Sequence, residues 1–368
     1  MPPTILRLTP PLGTLLTTGV VLLAVACGSG GSEAPASTAT TTAGPDAAAQ
    51  ACGGPGSTDD LVFTPSKSDY FPVVVSSDLA VGKERFVVGL LDKDQAPVKN
   101  AKLHFRFFCF SDQGERIYKT ETDATSLTIT KTYTHTHPDG TVETHEAGEL
   151  GTYLARIEFD SPGKWGVDVS GSVNGKALEA QTAFFQVRQK SESPAVGDPA
   201  PPSVQTLLQD VGGDISQIDT SDPPDPTMHQ MTIAAAVRSG RPTVIVFATP
   251  AFCVSQLCGP TKSLVDDLYA RYKGVANFIH VEPYFLKEAR EGKGLCPIPI
   301  INLDYAANPQ PGCPQVPASE LPPREQTWNL STEPWVFIVD KEGKIAAKFE
   351  GIVSGPELEE ALAPLVGG

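Results

Sequence analysis

The chain has 368 residues, and its 33 glycines and 34 prolines exclude one continuous helical architecture. With 40% hydrophobic and 19% charged residues it can bury sizeable cores outside its Pro-, Ala- and Thr-rich stretches. A formal charge of −15, from 28 basic and 43 acidic residues, argues against nucleic-acid binding by phosphate neutralisation.

Arg7 precedes a short apolar run, Leu15 to Ala26, that ends in small residues just before Cys27. The run is too short for a membrane span and reads as a secretory signal over residues 1–26. The segment Leu23-Ala24-Val25-Ala26-Cys27-Gly28-Ser29 resembles the lipobox of bacterial lipoproteins, with Ala24 where leucine is usual. That resemblance implies lipidation at Cys27, and the alternative is an ordinary cleaved signal with an incidental cysteine. Residues 27–58 lack apolar periodicity and read as a flexible tether with a reach of roughly 30 Å. The expected address is extracytoplasmic and lipid-anchored at the cell membrane. An exported chain meets an oxidising compartment, so the six other cysteines are candidate disulfide partners.

Residues 59–188 alternate short β-rich runs with turn signals: Arg85 to Leu91, Lys102 to Phe108, Gly151 to Phe159 and Trp165 to Ser170. This spacing predicts a β-sandwich. Gly151-Thr152-Tyr153 and Pro162-Gly163-Lys164-Trp165 resemble paired strands of bacterial immunoglobulin-like modules. His135, His137 and His145 lie around a Pro138-Asp139-Gly140 turn, an arrangement that a copper or zinc site can use. A solvated, Thr-rich hairpin with incidental histidines explains the same residues.

Residues 189–202 have the composition of an interdomain linker, and 203–368 form the expected second domain. Val196-Gly197-Asp198-Pro199-Ala200-Pro201 resembles the entry segment of thioredoxin-like envelope proteins and peroxiredoxins. After it, Thr232 to Gly240 reads as a short helix ended by glycine, and Pro242 to Ala248 as a buried strand.

Directly after that strand come Phe252, Cys253 and Cys258, then an amphipathic helix from Ser263 to Tyr272. A strand that delivers cysteines to a helix N-terminus places them where unpaired amides favour thiolate, the attacking species in thiol–disulfide exchange. Here the chain resembles the thioredoxin-like superfamily. Glu333-Pro334-Trp335, opening the apolar run to Val339, matches that family's cis-proline strand. The resemblance implies that Cys253, Cys258 and Pro334 carry catalysis and that Glu333, Phe252 and Trp335 meet the substrate. It also implies a C-terminal α/β thioredoxin-like fold, so with the N-terminal immunoglobulin-like all-β sandwich the expected chain is multidomain. Ser354 to Leu362 is the expected last helix, with Pro356 in its first turn.

The family pair is CxxC, whereas four residues separate Cys253 and Cys258. Within a regular helix, five steps give about 7.5 Å of rise and about 140° of rotation, beyond disulfide reach. The pair can close only if Cys253 lies in the loop or the first turn unwinds. The same spacing occurs in one class of atypical two-cysteine peroxiredoxins, although Thr249 stands four residues before Cys253 where their pattern has three. A copper-delivery protein of the Sco type, with His280 as the distant ligand, and a stapling disulfide without turnover are further readings. His280 alone reads as a strand residue, and Met228-His229-Gln230-Met231 as capping and core packing.

Residues 284–330 form a proline-rich insertion with Cys296 and Cys313. A disulfide between them would stabilise the loop by roughly 3 kcal/mol. Cys52 and Cys109 are left over and could pin the tether to the sandwich. The function expected is that of a membrane-anchored extracytoplasmic thiol–disulfide oxidoreductase acting on protein thiols or disulfides of the cell envelope. A thiol peroxidase and a non-enzymatic copper-carrier or binding lipoprotein are its alternatives. No cofactor, no metal ligand and no nucleic-acid partner is assigned.

Overall fold

A computed structural model describes residues 52–53, 68–129, 132–136, 140–253 and 257–367. The signal segment, Cys27, most of the tether and His137 lie outside the described residues.

Ten strands form the N-terminal part: β1 (Tyr70–Val74), β2 (Gly82–Asp92), β3 (Ala101–Phe110), β4 (Arg116–Asp123), β5 (Thr125–Ile129), β6 (Tyr133–Thr136), β7 (Val142–His145), β8 (Gly148–Phe159), β9 (Gly163–Val173) and β10 (Lys176–Val187). They make two antiparallel four-stranded sheets, in the orders β1-β2-β8-β5 and β10-β9-β3-β4, and a β6-β7 ribbon. The period-2 pattern explains the layers. In β3, Leu103, Phe105, Phe107 and Cys109 are buried while Lys102 and Arg106 face water. Between the sheets, Phe86, Phe105, Phe107, Phe159, Trp165 and Phe185 form one aromatic core. Phe86 meets Phe107 edge-on at 5.0 Å and Phe159 meets Trp165 at 4.9 Å. Such pairs add about 0.5–1.5 kcal/mol each beyond the area they bury. The Tyr153 hydroxyl donates to the Val98 carbonyl at 2.8 Å and accepts from the Ala101 amide at 3.2 Å, so its burial leaves nothing unpaired. A Cys52–Cys109 disulfide fastens the chain before β1 to this sandwich.

The C-terminal part comprises α1 (Ile233–Ala236), β11 (Thr243–Phe247), α2 (Cys258–Tyr272), β12 (Asn277–Val281), α3 (Leu286–Arg290), α4 (Leu303–Ala307), β13 (Trp335–Val339), β14 (Ile345–Glu350) and α5 (Gly355–Val366). Its sheet has the order β12-β11-β13-β14. Only β11 and β12 are parallel; the other two pairings are antiparallel.

The expected combination of a sandwich with a C-terminal α/β thioredoxin-like fold is corrected by these elements. The described residues are mostly β, with three four-stranded sheets and few helices. The helix expected at 232–240 is the single turn α1. Between β12 and β13, where an alternating α/β chain runs a full crossover helix, the proline-rich segment holds only α3 and α4, of five residues each. Helices longer than this are α2 and α5 alone among the described residues.

The sheet containing β2 and β8 is covered on both faces. Phe86, Val88, Tyr153 and Ala155 point into the sandwich, whereas Val87, Leu127, Ile129 and Leu154 join a second core with Cys253, Cys258, Leu264, Ile352 and Val353. Arg85 pins the same contact. Its Nε donates to Glu357 Oε1 at 2.8 Å and its Nη1 to the Glu350 carbonyl at 3.1 Å, with Arg85 half-buried and Glu357 buried.

Candidate active site

The cysteine pair sits where an entirely buried strand meets a helix. Every residue of β11 is buried, because it is a central strand with apolar layers on both faces. After it the chain turns, with the Phe252 amide donating to the Thr249 carbonyl at 3.1 Å, and Cys253 follows outside any helix. Cys258 opens α2, with Gly259 and Pro260 in the first turn, where proline lacks nothing by lacking an N–H. Cys253 in the loop is therefore how the CxxxxC spacing closes. The two form a disulfide with a Cα–Cα distance of 6.0 Å. The Cys258 backbone amide donates to Cys253 Sγ at 3.3 Å, a contact that would stabilise a thiolate on Cys253.

Cys253 and Cys258 are buried, and residues 251, 252, 257 and 333 at the margin are half-buried. Thus Phe252 stands beside the pair. Pro334 follows a cis Glu333–Pro334 peptide bond. Glu333 points back at the cysteines: the ligand-capable atoms of Cys253, Cys258 and Glu333 lie within 4.8 Å of one another. Its Oε2 accepts from the Thr249 amide at 2.8 Å, while Oε1 is sealed from solvent without a hydrogen-bond partner. Burial, and then the nearby Glu282 carboxyl, push the Glu333 pKa up to about 8. A proton-bearing carboxyl therefore faces the disulfide at neutral pH. Trp335 goes elsewhere. Alternation along β13 turns it to the opposite face of the sheet, stacked on Phe337 at 5.5 Å and facing a cleft between the sandwich and the C-terminal sheet. That cleft, of about 970 Å³, is lined by Asp78, Glu84, Arg85 and Lys348 and by neither cysteine.

Beneath the cysteine loop lies a second set of buried polar groups that single-residue reading does not find. The Thr220 amide and hydroxyl donate to Glu282 Oε1 at 2.6 and 2.7 Å, and the Thr220 hydroxyl accepts from the Ala251 amide at 3.2 Å. Burial, abetted by the Asp219 charge, raises the Glu282 pKa to about 7. His280, at 0% exposure in β12, places Nε2 at 2.9 Å from the Ala248 carbonyl. Its other ring nitrogen faces Asp219, which also meets His229 at 3.1 Å. Burial opposes ionisation of both Asp219 and His280, but their mutual attraction prevails. It holds the Asp219 carboxyl well below its usual range and raises the His280 imidazole. His280 is thus turned toward Asp219 and His229, and the third group beside the cysteines is Glu333. The signal available beforehand was only the presence of two histidines in apolar surroundings, since Asp219, His229 and His280 come from separate segments.

The His135 hairpin forms the β6-β7 ribbon, in which His135 pairs with Glu143 and His145 with Tyr133. β6 lies against α2. Cys296 and Cys313 form the third disulfide. Three disulfides fit an oxidising, extracytoplasmic compartment. No helix among the described residues is long and apolar enough to cross a membrane.

No family model matches the chain, and no curated protein matches it. Among solved structures it is similar to the Lin-41 filamin domain, at 12% identity and a TM-score of 0.17, over 34% of this chain and 97% of that one. A score at that level carries no argument about fold or function.

Proposed function

We propose that the chain is an extracytoplasmic thiol–disulfide oxidoreductase working through Cys253 and Cys258, anchored to the membrane by a lipid on Cys27 and acting on protein thiols or disulfides of the cell envelope. The observation that carries this reading is the disulfide at the start of α2 with the Cys258 amide aimed at Cys253 Sγ and a protonated Glu333 carboxyl facing both sulfurs. The motif resemblance to thioredoxin-like proteins, in the cysteine loop and the proline before β13, supports the same chemistry.

In the oxidising direction, a substrate thiolate attacks Cys253 Sγ and the Cys253–Cys258 bond breaks. The electron pair leaves on Cys258 sulfur, which takes the Glu333 proton. A second substrate thiolate then attacks the substrate sulfur of the mixed disulfide, releasing Cys253 as a thiolate held by the Cys258 amide. Run backwards, the same steps reduce a substrate disulfide, with Cys253 attacking and Cys258 resolving.

The deciding experiment equilibrates the chain across glutathione redox buffers and reads Cys253 and Cys258 by alkylation and mass spectrometry. A midpoint between about −270 and −120 mV, the span of known oxidoreductases, supports exchange, and a pair that stays oxidised in more reducing buffers refutes it. Cys253→Ser is expected to abolish exchange and Cys258→Ser to trap mixed disulfides.

A metal-carrier reading has one observation of its own, the grouping of Cys253, Cys258 and Glu333. It predicts tight Cd²⁺ binding by the reduced chain that Cys253→Ser removes, with no exchange activity.

A further inference from the structure

We propose that Asp219, His229 and His280 bind a divalent transition-metal ion, Zn²⁺ by the chemistry of the donor set, in a closed site beneath the cysteine loop. The inference is independent of the redox reading, because it uses none of the sulfur atoms.

Two imidazoles and one carboxylate are a common ligand set for zinc. The three residues are brought together from separate segments: Asp219 from the loop before the 3₁₀ turn Pro226–His229, His229 from the end of that turn, and His280 from β12. Their ligand atoms all lie within 4.8 Å of one another, and all three side chains are buried.

The hydrogen bonding around them assigns which atoms are available. A carbonyl oxygen only accepts, so the 2.9 Å contact with Ala248 requires the proton on His280 Nε2. That leaves Nδ1 turned inward. It is fully buried, makes no hydrogen bond, and stands 3.5 Å from Asp219 Oδ1. A metal-bound histidine that donates its remote N–H to a backbone carbonyl has the same arrangement. Asp219 is equally fixed: Oδ1 accepts from the Ser221 amide at 2.7 Å and Oδ2 from the Asp225 amide at 3.0 Å. His229 Nε2 is 3.1 Å from Asp219 Oδ2 and would exchange its proton for the metal. The two histidines meet different oxygens of the one carboxylate, His229 Nε2 at 3.1 Å from Oδ2 and His280 Nδ1 at 3.5 Å from Oδ1, so Asp219 stands between the two imidazoles.

Three protein ligands leave the fourth position of a tetrahedral ion to a water, and because all three are buried the ion's role is to position backbone. His280 holds the Ala248 carbonyl, and Thr220, next to Asp219, accepts from the Ala251 amide. Both contacts lie in the segment that leads into Cys253. The rival arrangement is a metal-free cluster in which a protonated His280 answers Asp219 directly.

The test uses the full chain, produced in zinc-supplemented medium with its three disulfides intact and any thiol at Cys27 alkylated so that sulfur cannot ligate. Elemental analysis is expected to give about one zinc per chain. His229→Gln and Asp219→Asn should each lower this at least about tenfold, while joint replacement of His135, His137 and His145 by alanine leaves it unchanged. A chelator should lower the melting temperature, and zinc should restore it. Zinc content below about one tenth per chain with no response of melting temperature to zinc or chelator overturns the site, as does zinc that survives both substitutions or is lost with the hairpin histidines. If the variants fail to fold, the Co²⁺-loaded wild-type chain decides. A tetrahedral nitrogen–oxygen spectrum without a sulfur charge-transfer band is expected, and a spectrum with that band, or no binding, overturns the proposal.

Discussion

The two large cores of this chain differ in what they bury. Between the sandwich sheets lie interlocking aromatic rings, and the Tyr153 hydroxyl there is satisfied both as donor and as acceptor. The C-terminal part instead buries Asp219, His229, Lys262, His280 and Glu282, with Glu333 at its edge. Desolvating such groups costs several kcal/mol each unless they are paired. Unpaired buried atoms occur in both parts, the Ser126 and Thr152 hydroxyls in the sandwich and Oε1 of Glu333 in the C-terminal part, so what separates them is buried charge. The disulfides divide along the same line. Cys52–Cys109 spans a sequence separation of 57 and Cys296–Cys313 one of 17, whereas Cys253–Cys258 spans five and sits among the protonatable groups. The sandwich buries an aromatic core, and the C-terminal part buries ionisable groups beside its short disulfide.

The contact between the regions is the first place to break this comparison. Arg85→Ala leaves the buried Glu357 carboxylate with only the 3.4 Å Arg156 contact and Ser354, and leaves the Glu350 carbonyl without its donor. The expected cost is about 3–5 kcal/mol, the usual penalty for breaking a buried pair, read by denaturant unfolding. If the two regions are mechanically separate, the variant instead shows a loss confined to one of two unfolding transitions. The disulfides come next. On the chain-entropy model, replacing Cys52 and Cys109 with alanine costs about 4 kcal/mol, Cys296 and Cys313 about 3, and Cys253 and Cys258 only about 2. Calorimetry of the three double variants checks that order, and a reversed order would make Cys253–Cys258 the principal staple.

Much of the sandwich was legible in the sequence because strand signals are local. The runs Arg85 to Leu91 and Lys102 to Phe108 fall within β2 and β3, and the inward side chains follow from alternation alone. A run such as Thr243 to Phe247 is likewise recognisable as a buried strand. The class of the C-terminal part was misread because a motif at one junction was extended to every connection. The residues around Cys253 and Glu333 do not report that Glu282 to Pro334 lacks a crossover helix. The polar cluster was harder still. Asp219 carries no motif, His229 looked like a cap and His280 like a strand residue, and only the tertiary fold brings them within hydrogen-bond range. Arg85 and Glu357, 272 residues apart, illustrate the same limit.

A pH dependence tests whether the Glu333 proton is real. The Glu333 pKa rises from 4.5 to about 8 on folding. Between those values the folded chain holds a proton that the unfolded chain has released, so stability falls as pH rises through that window. Its contribution is complete below about pH 4.5 and gone above about pH 8. Asp219 acts with the opposite sign, since its carboxyl is held low and its contribution disappears on acidification. Comparing oxidised wild type with Glu333→Gln isolates the first effect, because the amide cannot titrate and still accepts from the Thr249 amide. The wild-type chain should lose roughly 3 kcal/mol relative to the variant between pH 5 and pH 8. Parallel stability curves would mean that Glu333 is ionised throughout, and the disulfide would then face a carboxylate with no proton to give.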